Sequence, residues 1–128
     1  MALTSTFTTN PVKSIIVNQT SSTSASGVGD NNVAGGPTYL ISAKIVNTNN
    51  GSSTYTKFYD ATSATAGTDT ASVVLLCTGT HTKTYTFHPP LYFSNGLSVV
   101  TTSTEGQAGT TAPVTPPAVT LILSSSAS

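Results

Sequence analysis

The chain has 128 residues, and only 6% of them are charged: four lysines and four acids, with a formal net charge of zero. An average globular protein carries about 25% charged residues. The low count excludes the basic stripe by which nucleic-acid-binding proteins neutralise phosphates and the basic cluster that binds anionic membranes. Threonine (26 residues) and serine (18 residues) supply the polarity. Because β-branched threonine suits the surface of a sheet, we expect an all-β protein.

The chain opens with a Thr-rich segment that has no charged side chain, "MALTSTFTTNP" (1–11). It has neither the charged start nor the apolar centre of a secretory signal, so we do not expect one here. We interpret residues 1–11 as a loose N-terminal arm. Leu3 and Phe7 are apolar side chains on this otherwise polar arm. Together with Pro11 they are candidate contacts to a neighbouring subunit.

Strand-like runs follow, separated by clusters of Gly, Asn, Ser and Pro. Short strands with turn signals at this spacing are typical of a sandwich. We predict one β-sandwich domain over 12–124, jelly-roll or immunoglobulin-like, with seven or eight antiparallel strands, followed by a flexible tail over 125–128. The predicted strands cover residues 12–19, 38–48, 54–60, 72–78, 82–88, 97–102 and 118–123, and long loops cover 20–37 and 102–117.

Two of these strands make specific predictions about burial. In "YLISAKIV" apolar residues alternate with polar ones, which places one set of side chains on a single face of the sheet: Tyr39, Ile41, Ala43 and Ile45. "SVVLLC" (72–77) is apolar almost throughout. That pattern predicts a strand covered on both faces.

The stretch "HPPLYFSNGLSVVTT" (88–102) combines two prolines with an Asn-Gly pair. We expect the prolines to end one strand and start the next at an edge or corner, where a missing N–H group is tolerated. Ser94-Asn95-Gly96 is expected to form a bulge or tight bend whose glycine takes a positive φ. Such a bend lets Phe93 and Leu97 both enter the core.

Candidate metal ligands are few. Cys77 is the sole cysteine, which forbids an internal disulfide. A zinc site requires four converging ligands, and residues seven apart on a regular strand, such as His81 and His88, point to opposite faces. We therefore predict no metal site and interpret Cys77 as a buried apolar thiol.

The sequence carries no recognisable catalytic motif. The Gly-x-Ser-x-Gly elbow of serine hydrolases is missing, and a two-carboxylate hydrolase needs two acids at a fixed separation. Asp60 and Asp69 flank "ATSATAGT", so they either approach each other across this loop or serve as turn and capping residues. Asp30 lies in a predicted loop. We predict that the protein is not an enzyme and binds no cofactor.

Aromatic residues cluster in the central third of the chain. An exposed row of tyrosines can stack on sugars, so a carbohydrate-binding module that uses Tyr55, Tyr59 or Tyr92 is one alternative. In the other interpretation, alternate aromatic residues fill the core between two sheets.

Residues 57–106, "KFYDATSATAGTDTASVVLLCTGTHTKTYTFHPPLYFSNGLSVVTTSTEG", resemble a group of small β-sandwich structural proteins of tailed bacteriophages. The resembling features are a Lys-aromatic-Tyr-Asp strand end, the "GTDT" loop, two apolar strands and the "PPLYFSNGL" segment. The preceding strand, Asn-rich turn and strand, and the last short apolar strand, are also similar, so the match covers residues 38–123. The chain departs from the pattern at "LLCTGTHTKTYTFHPP", where a shorter hairpin is expected, and residues 1–37 have no counterpart.

The resemblance implies a non-enzymatic virion protein made in the host bacterial cytoplasm. Our first hypothesis is a capsid decoration (cement) protein on the capsid exterior, a homotrimer or other homo-oligomer that bridges and stabilises neighbouring subunits of the major capsid protein. The alternative is a tail-fibre, baseplate or neck module bound to other virion proteins, with host adhesion as a possible role. We expect interface contacts at Leu3, Phe7, Pro11, Tyr55 and Tyr92, and no nucleic acid or membrane partner.

Overall fold

The computed structural model describes residues 12–17, 28–65, 67–105, 113 and 117–124, and every regular element in them is a β-strand. This part of the chain contains no helix that is long and apolar enough to cross a membrane. The eight strands are β1 (Val12–Val17), β2 (Val28–Asp30), β3 (Thr38–Val46), β4 (Thr54–Asp60), β5 (Val73–Cys77), β6 (Thr82–Phe93), β7 (Leu97–Thr102) and β8 (Ala118–Ser124).

The strands form two four-stranded sheets, sheet A in the order β1-β8-β3-β6 and sheet B in the order β2-β7-β4-β5. All pairings are antiparallel. The first four strands pair with the last four, β1 with β8, β2 with β7, β3 with β6 and β4 with β5. A long hairpin of this kind, folded over so that its strands divide between two sheets, is a jelly roll. The predicted all-β sandwich is confirmed, and of the two predicted topologies the jelly roll is the one adopted.

The core lies between the two sheets, and the described side chains that fill it come from β3 to β8, as expected for a sandwich. Because a strand side chain points inward at every second position, the buried set recurs with a period of two. The fully or almost fully buried members are Leu40, Ala43, Ile45, Phe58, Leu75, Cys77, Phe93, Leu97, Val99, Val119, Leu121 and Leu123.

The predicted inward face of β3 is wrong in its first half. Leu40, Ala43 and Ile45 are buried, and a register shift falls between Leu40 and Ser42. One extra residue, Ile41, interrupts the alternation there, so the residues before it face the opposite way from the predicted pattern. The shift places Tyr39 on the outer face of sheet A.

The prediction that "HPP" ends a strand is also wrong. Strand β6 continues through His88, Pro89 and Pro90 as the edge of sheet A, and the His88–Pro89 peptide is cis. The prolines lie where the register with β3 shifts, between the Leu40–Leu91 and Ser42–Thr86 pairs. A bulged edge strand tolerates residues that cannot donate to the ladder, so the strand continues past them.

The bend predicted at Ser94-Asn95-Gly96 is confirmed. Gly96 has a φ of 142°, a conformation that side chains rarely adopt. A Cβ atom at this position would lie 2.8 Å from Asn32 Oδ1. The bend carries the chain from sheet A to sheet B, and both Phe93 and Leu97 are buried.

One end of the sandwich is organised by the buried amide of Asn47. Its Nδ2 atom donates to the carbonyl oxygens of Ser52 and Cys77 at 3.1 Å and to that of Thr78 at 3.4 Å. Its Oδ1 atom accepts from Asn50 Nδ2 at 2.6 Å. These bonds join the β3–β4 connection to the β5–β6 connection.

The opposite end is held by hydrogen bonds between three other connections. The Asp60 carboxylate accepts the backbone N–H of Asn95 at 2.8 Å, which ties β4 to the β6–β7 bend. Ser98 Oγ donates to the carbonyl of Ala61 at 2.7 Å. Asn31 Oδ1 accepts the N–H of Ala64 at 3.2 Å, which joins the β2–β3 and β4–β5 connections. The described loops at this end are thus connected to one another.

Candidate interaction surface

The structure places the predicted interface residues in separate regions. Leu3, Phe7 and Pro11 lie outside the described residues. Tyr55 is half-buried on the outer face of sheet B, opposite Leu76 of β5. Tyr92 lies on the outer face of sheet A. Tyr55 and Tyr92 are therefore on opposite sides of the sandwich and do not form one row of rings.

Tyr92 is the most exposed large hydrophobic residue of the described chain, with 53% of its surface accessible. It pairs with Tyr39 across β6 and β3, and the two rings stack with their centroids 4.5 Å apart and their planes 26° apart. Stacking on Tyr39 restricts the Tyr92 ring, so little side-chain entropy remains to be lost on contact with a partner. The pair is a pre-ordered aromatic contact on the outside of sheet A.

Tyr59 does not contribute to a surface, because it is only 1% exposed. It packs with Val100, Ala71 and Ala64 on the outer face of sheet B, where the β4–β5 connection covers the sheet. Burial and the nearby Asp69 carboxylate raise the pKa of the Tyr59 hydroxyl. This hydroxyl has no hydrogen-bond partner among the described residues. Tyr59 is a packing residue, which removes it from the carbohydrate-binding alternative.

Lys57 is also buried on this outer face, two residues before Tyr59, and desolvation lowers the pKa of its ammonium group. Desolvation acts in the opposite direction on three acidic groups: it raises the pKa of Cys77, Tyr59 and Tyr85. In all four groups burial favours the neutral form.

We expect stability to fall as the pH rises above about 10.5. The unfolded chain loses the protons of Cys77, Tyr59 and Tyr85 at their ordinary pKa values of 9.0, 10.0 and 10.0, before the folded chain does. Lys57 acts in the opposite direction, since the unfolded chain holds that proton up to 10.5. Above pH 10.5 Lys57 is neutral in both states and no longer contributes, whereas acidic groups with a raised pKa still do, so the midpoint of thermal unfolding should decrease there.

Two variants check the sign of this dependence by circular dichroism. Tyr59→Phe removes one destabilising contribution, so the unfolding midpoint should decrease less steeply at alkaline pH. Lys57→Met removes the opposing contribution, which acts below pH 10.5, and should make the decrease steeper there. A slope that is the same in both variants as in the parent would contradict the assignment.

Cys77, His81 and His88 do not converge. Cys77 is fully buried, with its Sγ atom near the carbonyl oxygens of Ile45 (3.6 Å) and His81 (3.5 Å). The Nδ1 atom of His81 lies 2.7 Å from the carbonyl oxygen of Gly79, within its own turn. His88 is exposed on β6. No group of three metal-ligating side chains occurs in the described part of the chain.

The carboxylates of Asp60 and Asp69 accept hydrogen bonds from loop residues. Asp60 accepts the Asn95 N–H and the Ser94 hydroxyl, while Asp69 accepts the backbone N–H of Thr65 at 2.7 Å within its own loop. Of the two roles left open by the sequence, these bonds match turn stabilisation. Asp60 stabilises the β6–β7 bend, and Asp69 stabilises the β4–β5 connection.

The prediction that "SVVLLC" is covered on both faces is wrong for the isolated chain. Strand β5 is the edge of sheet B, and its outward side chains Val74 and Leu76 are 37% and 44% exposed. Its inward side chains Leu75 and Cys77 are buried. Apolar residues at every position of an edge strand leave an uncovered apolar strip, which with Tyr55 forms what we call the β5 patch (Val74, Leu76 and Tyr55).

Sequence reasoning missed the β5 patch, although the signal was present. A run of five apolar residues implies cover on both sides, and the sequence does not state whether that cover comes from the same chain. The described surface therefore offers two separate adhesive regions, the Tyr39–Tyr92 pair and the β5 patch. Both can bury apolar area against a protein partner. The chain matches no protein-family model, no curated protein and no solved structure.

Proposed function

We propose that the chain is a structural protein of a bacteriophage particle, without enzymatic activity, that decorates the capsid and bridges neighbouring capsid subunits. The observation that carries this proposal is the stacked Tyr39–Tyr92 pair, with Tyr92 53% exposed on a nearly ion-free surface. Tyrosine is among the residues that dominate binding energy at protein interfaces. A partner that covers this pair gains apolar burial without having to desolvate a charge.

The low charge supports a role in a symmetric array. Only Lys44 and Lys83 carry charge on β3 and β6, the strands that hold the two tyrosines. Identical copies packed closely on a shell repel one another less when few like charges face each other. The binding free energy of a single Tyr39–Tyr92 contact is modest, but many such contacts engaged at once give avidity.

The architecture is compatible with this role. Eight-stranded jelly rolls occur in viral capsid proteins and also in lectins, and a fold of this kind does not by itself specify a function. The resemblance of residues 38–123 to small β-sandwich proteins of tailed phages favours the virion role over the lectin role. Burial of Tyr59 weakens the lectin role further.

The test is retention on phage particles produced without the chain and then mixed with purified protein. Tyr92→Ala is expected to reduce retention about tenfold, which corresponds to an interface tyrosine worth roughly 1.4 kcal/mol. Deletion of residues 1–10 should also reduce retention while leaving the melting temperature nearly unchanged. Thr84→Ala, at an exposed position of β6, is the matched control and should bind as the parent does.

Electron microscopy of the decorated particles distinguishes the alternatives. Regular density on the capsid supports decoration. Density at the tail or neck alone would replace it with the tail-module hypothesis, and particles that retain none of the protein would reject both.

A further inference from the structure

Strand β5 is the least protected edge of the sandwich. Exposed edges are normally blunted by charged residues, prolines, bulges or shortness. Edge strand β6 has Lys83, Pro89, Pro90 and a register shift, and β2 is only three residues long. The sequence of β1 includes Lys13. In contrast, β5 is "VVLLC", with no charge, proline, glycine or bulge.

The free side of β5 can be identified from one hydrogen bond. The hydroxyl of Tyr85, on β6 of the other sheet, donates to the carbonyl oxygen of Leu76. This carbonyl therefore points away from β4. Because backbone groups alternate in direction along a strand, those of Val74 point to the same free side. The edge thus combines backbone donors and acceptors with the exposed side chains of Val74 and Leu76.

We propose that β5 pairs antiparallel with β5 of a second copy of this chain, about a two-fold axis at Leu75. In this register Val74 of each copy lies opposite Leu76 of the other, as a hydrogen-bonded pair. The Leu76 carbonyl has a second lone pair, so it accepts the new bond while keeping that from Tyr85. The two copies of sheet B join into one eight-stranded sheet.

Self-complementarity is the reason for choosing a second copy as the occupant. The two exposed apolar side chains of one β5 become cross-strand neighbours of the same two in the other copy. Two uncharged strands meet without like-charge repulsion, and a two-fold contact requires only one kind of surface. The pairing also buries part of the exposed Val74 and Leu76 side chains against those of the second copy. It does not depend on the proposed virion role.

The size of the contact sets the expected affinity. A five-residue edge with two exposed apolar side chains falls at or below the lower limit of about 1,200 Å² for specific stable interfaces. The dimer should therefore be weak in solution and should strengthen where copies are held close together. A two-fold contact gives dimers, which are among the homo-oligomers that the sequence resemblance leaves open.

The first experiment is sedimentation velocity of the full chain over a wide range of concentration. The parent should pass from monomer to dimer as concentration rises. Val74→Lys should weaken dimerisation at least tenfold by placing two like charges at the contact, and Leu76→Ser, which adds no charge, should weaken it as well. Thr84→Lys adds the same charge at an exposed position of sheet A and should dimerise as the parent does. Circular dichroism melting confirms that each variant is folded.

The second experiment tests the register. Paired residues of a hydrogen-bonded antiparallel pair have Cα atoms about 5.5 Å apart, within the range of a disulfide. A mixture of Val74→Cys and Leu76→Cys copies should therefore form a disulfide-linked dimer faster than either variant alone. Cys77 is fully buried and present in both, so it contributes equally.

Each contrary result overturns the proposal. A parent that remains monomeric at every concentration, or a dimer unaffected by Val74→Lys and Leu76→Ser, excludes β5 pairing. Equal cross-linking in the mixture and in the separate variants excludes the register. If the dimer disappears when residues 1–11 are deleted, the partner of β5 is that segment and not a second β5.

Discussion

Replacing Gly79 by alanine is expected to lower the free energy of unfolding by about 3 kcal/mol. A Cβ atom at this position would lie 2.5 Å from both the carbonyl carbon and the carbonyl oxygen of Gly51, and 2.8 Å from the Ser52 nitrogen. All three are backbone atoms, so no side-chain rotation relieves the overlap. The β3–β4 and β5–β6 connections must separate, which disturbs the hydrogen bonds of Asn47 between them.

Gly51 provides the matched control for this substitution. It is the other glycine of the same contact, but a Cβ atom on it would meet no atom within 4 Å. Gly51→Ala should therefore change stability by less than about 0.5 kcal/mol. Urea unfolding of the two variants, analysed by linear extrapolation, measures both values. Equal losses in the two variants would show that the close approach is not what restricts position 79.

Replacing Asn47 by aspartate is expected to cost about 4 kcal/mol near neutral pH, the magnitude typical of an uncompensated buried charge. The change preserves the size of the side chain but turns the Nδ2 donor into an acceptor. The new oxygen would face the carbonyl oxygens of Ser52, Cys77 and Thr78, which now accept from that nitrogen. Repulsion then replaces attraction at the centre of the two connections.

The pH dependence identifies the cause of this loss. Carbonyl oxygens around a buried carboxylate raise its pKa, so the folded variant holds a proton that the unfolded chain releases at about pH 3.9. A group with a raised pKa destabilises the fold as pH increases through that range, so part of the loss should be recovered near pH 4. Asn49→Asp, at an exposed position of the same turn, is the control. A loss of equal size at both pH values would assign the effect to the lost hydrogen bonds and not to the charge.

The strands of this fold were largely predictable, because apolar alternation and β-branched residues are local signals. Seven of the eight strands coincide with predicted runs. Strand β2 was missed because Val28–Asp30 is too short to display an alternation and lies within a Gly- and Asn-rich stretch. Strand β6 was predicted to end too early because prolines usually stop a strand. The predicted edge position is correct, but the register shift at which the strand continues past the prolines has no local signal in the sequence.

Sheet order and surface were less predictable, because both depend on which strands become neighbours. The exposure of Val74 and Leu76 follows from the position of β5 at the end of sheet B. The pairing of Tyr92 with Tyr39 depends on the shift between Leu40 and Ser42, which reverses the predicted facing of the first residues of β3. The burial of Tyr59 requires the β4–β5 connection to fold over the outer face of its sheet. Such long-range arrangements leave no periodic trace in the residues concerned.

The position of β8 has a consequence for how the chain acquires its structure. Strand β8 lies in the interior of sheet A, between β1 and β3, and Val12 pairs with Ser124. Neither β1 nor β3 has its β8 neighbour until residues 118–124 have left the ribosome. Sheet A should therefore form slowly and only after β8 has emerged, as is usual when pairings join distant parts of a sequence. A nonsense mutation before Ala118 would yield a product unable to assemble this sheet.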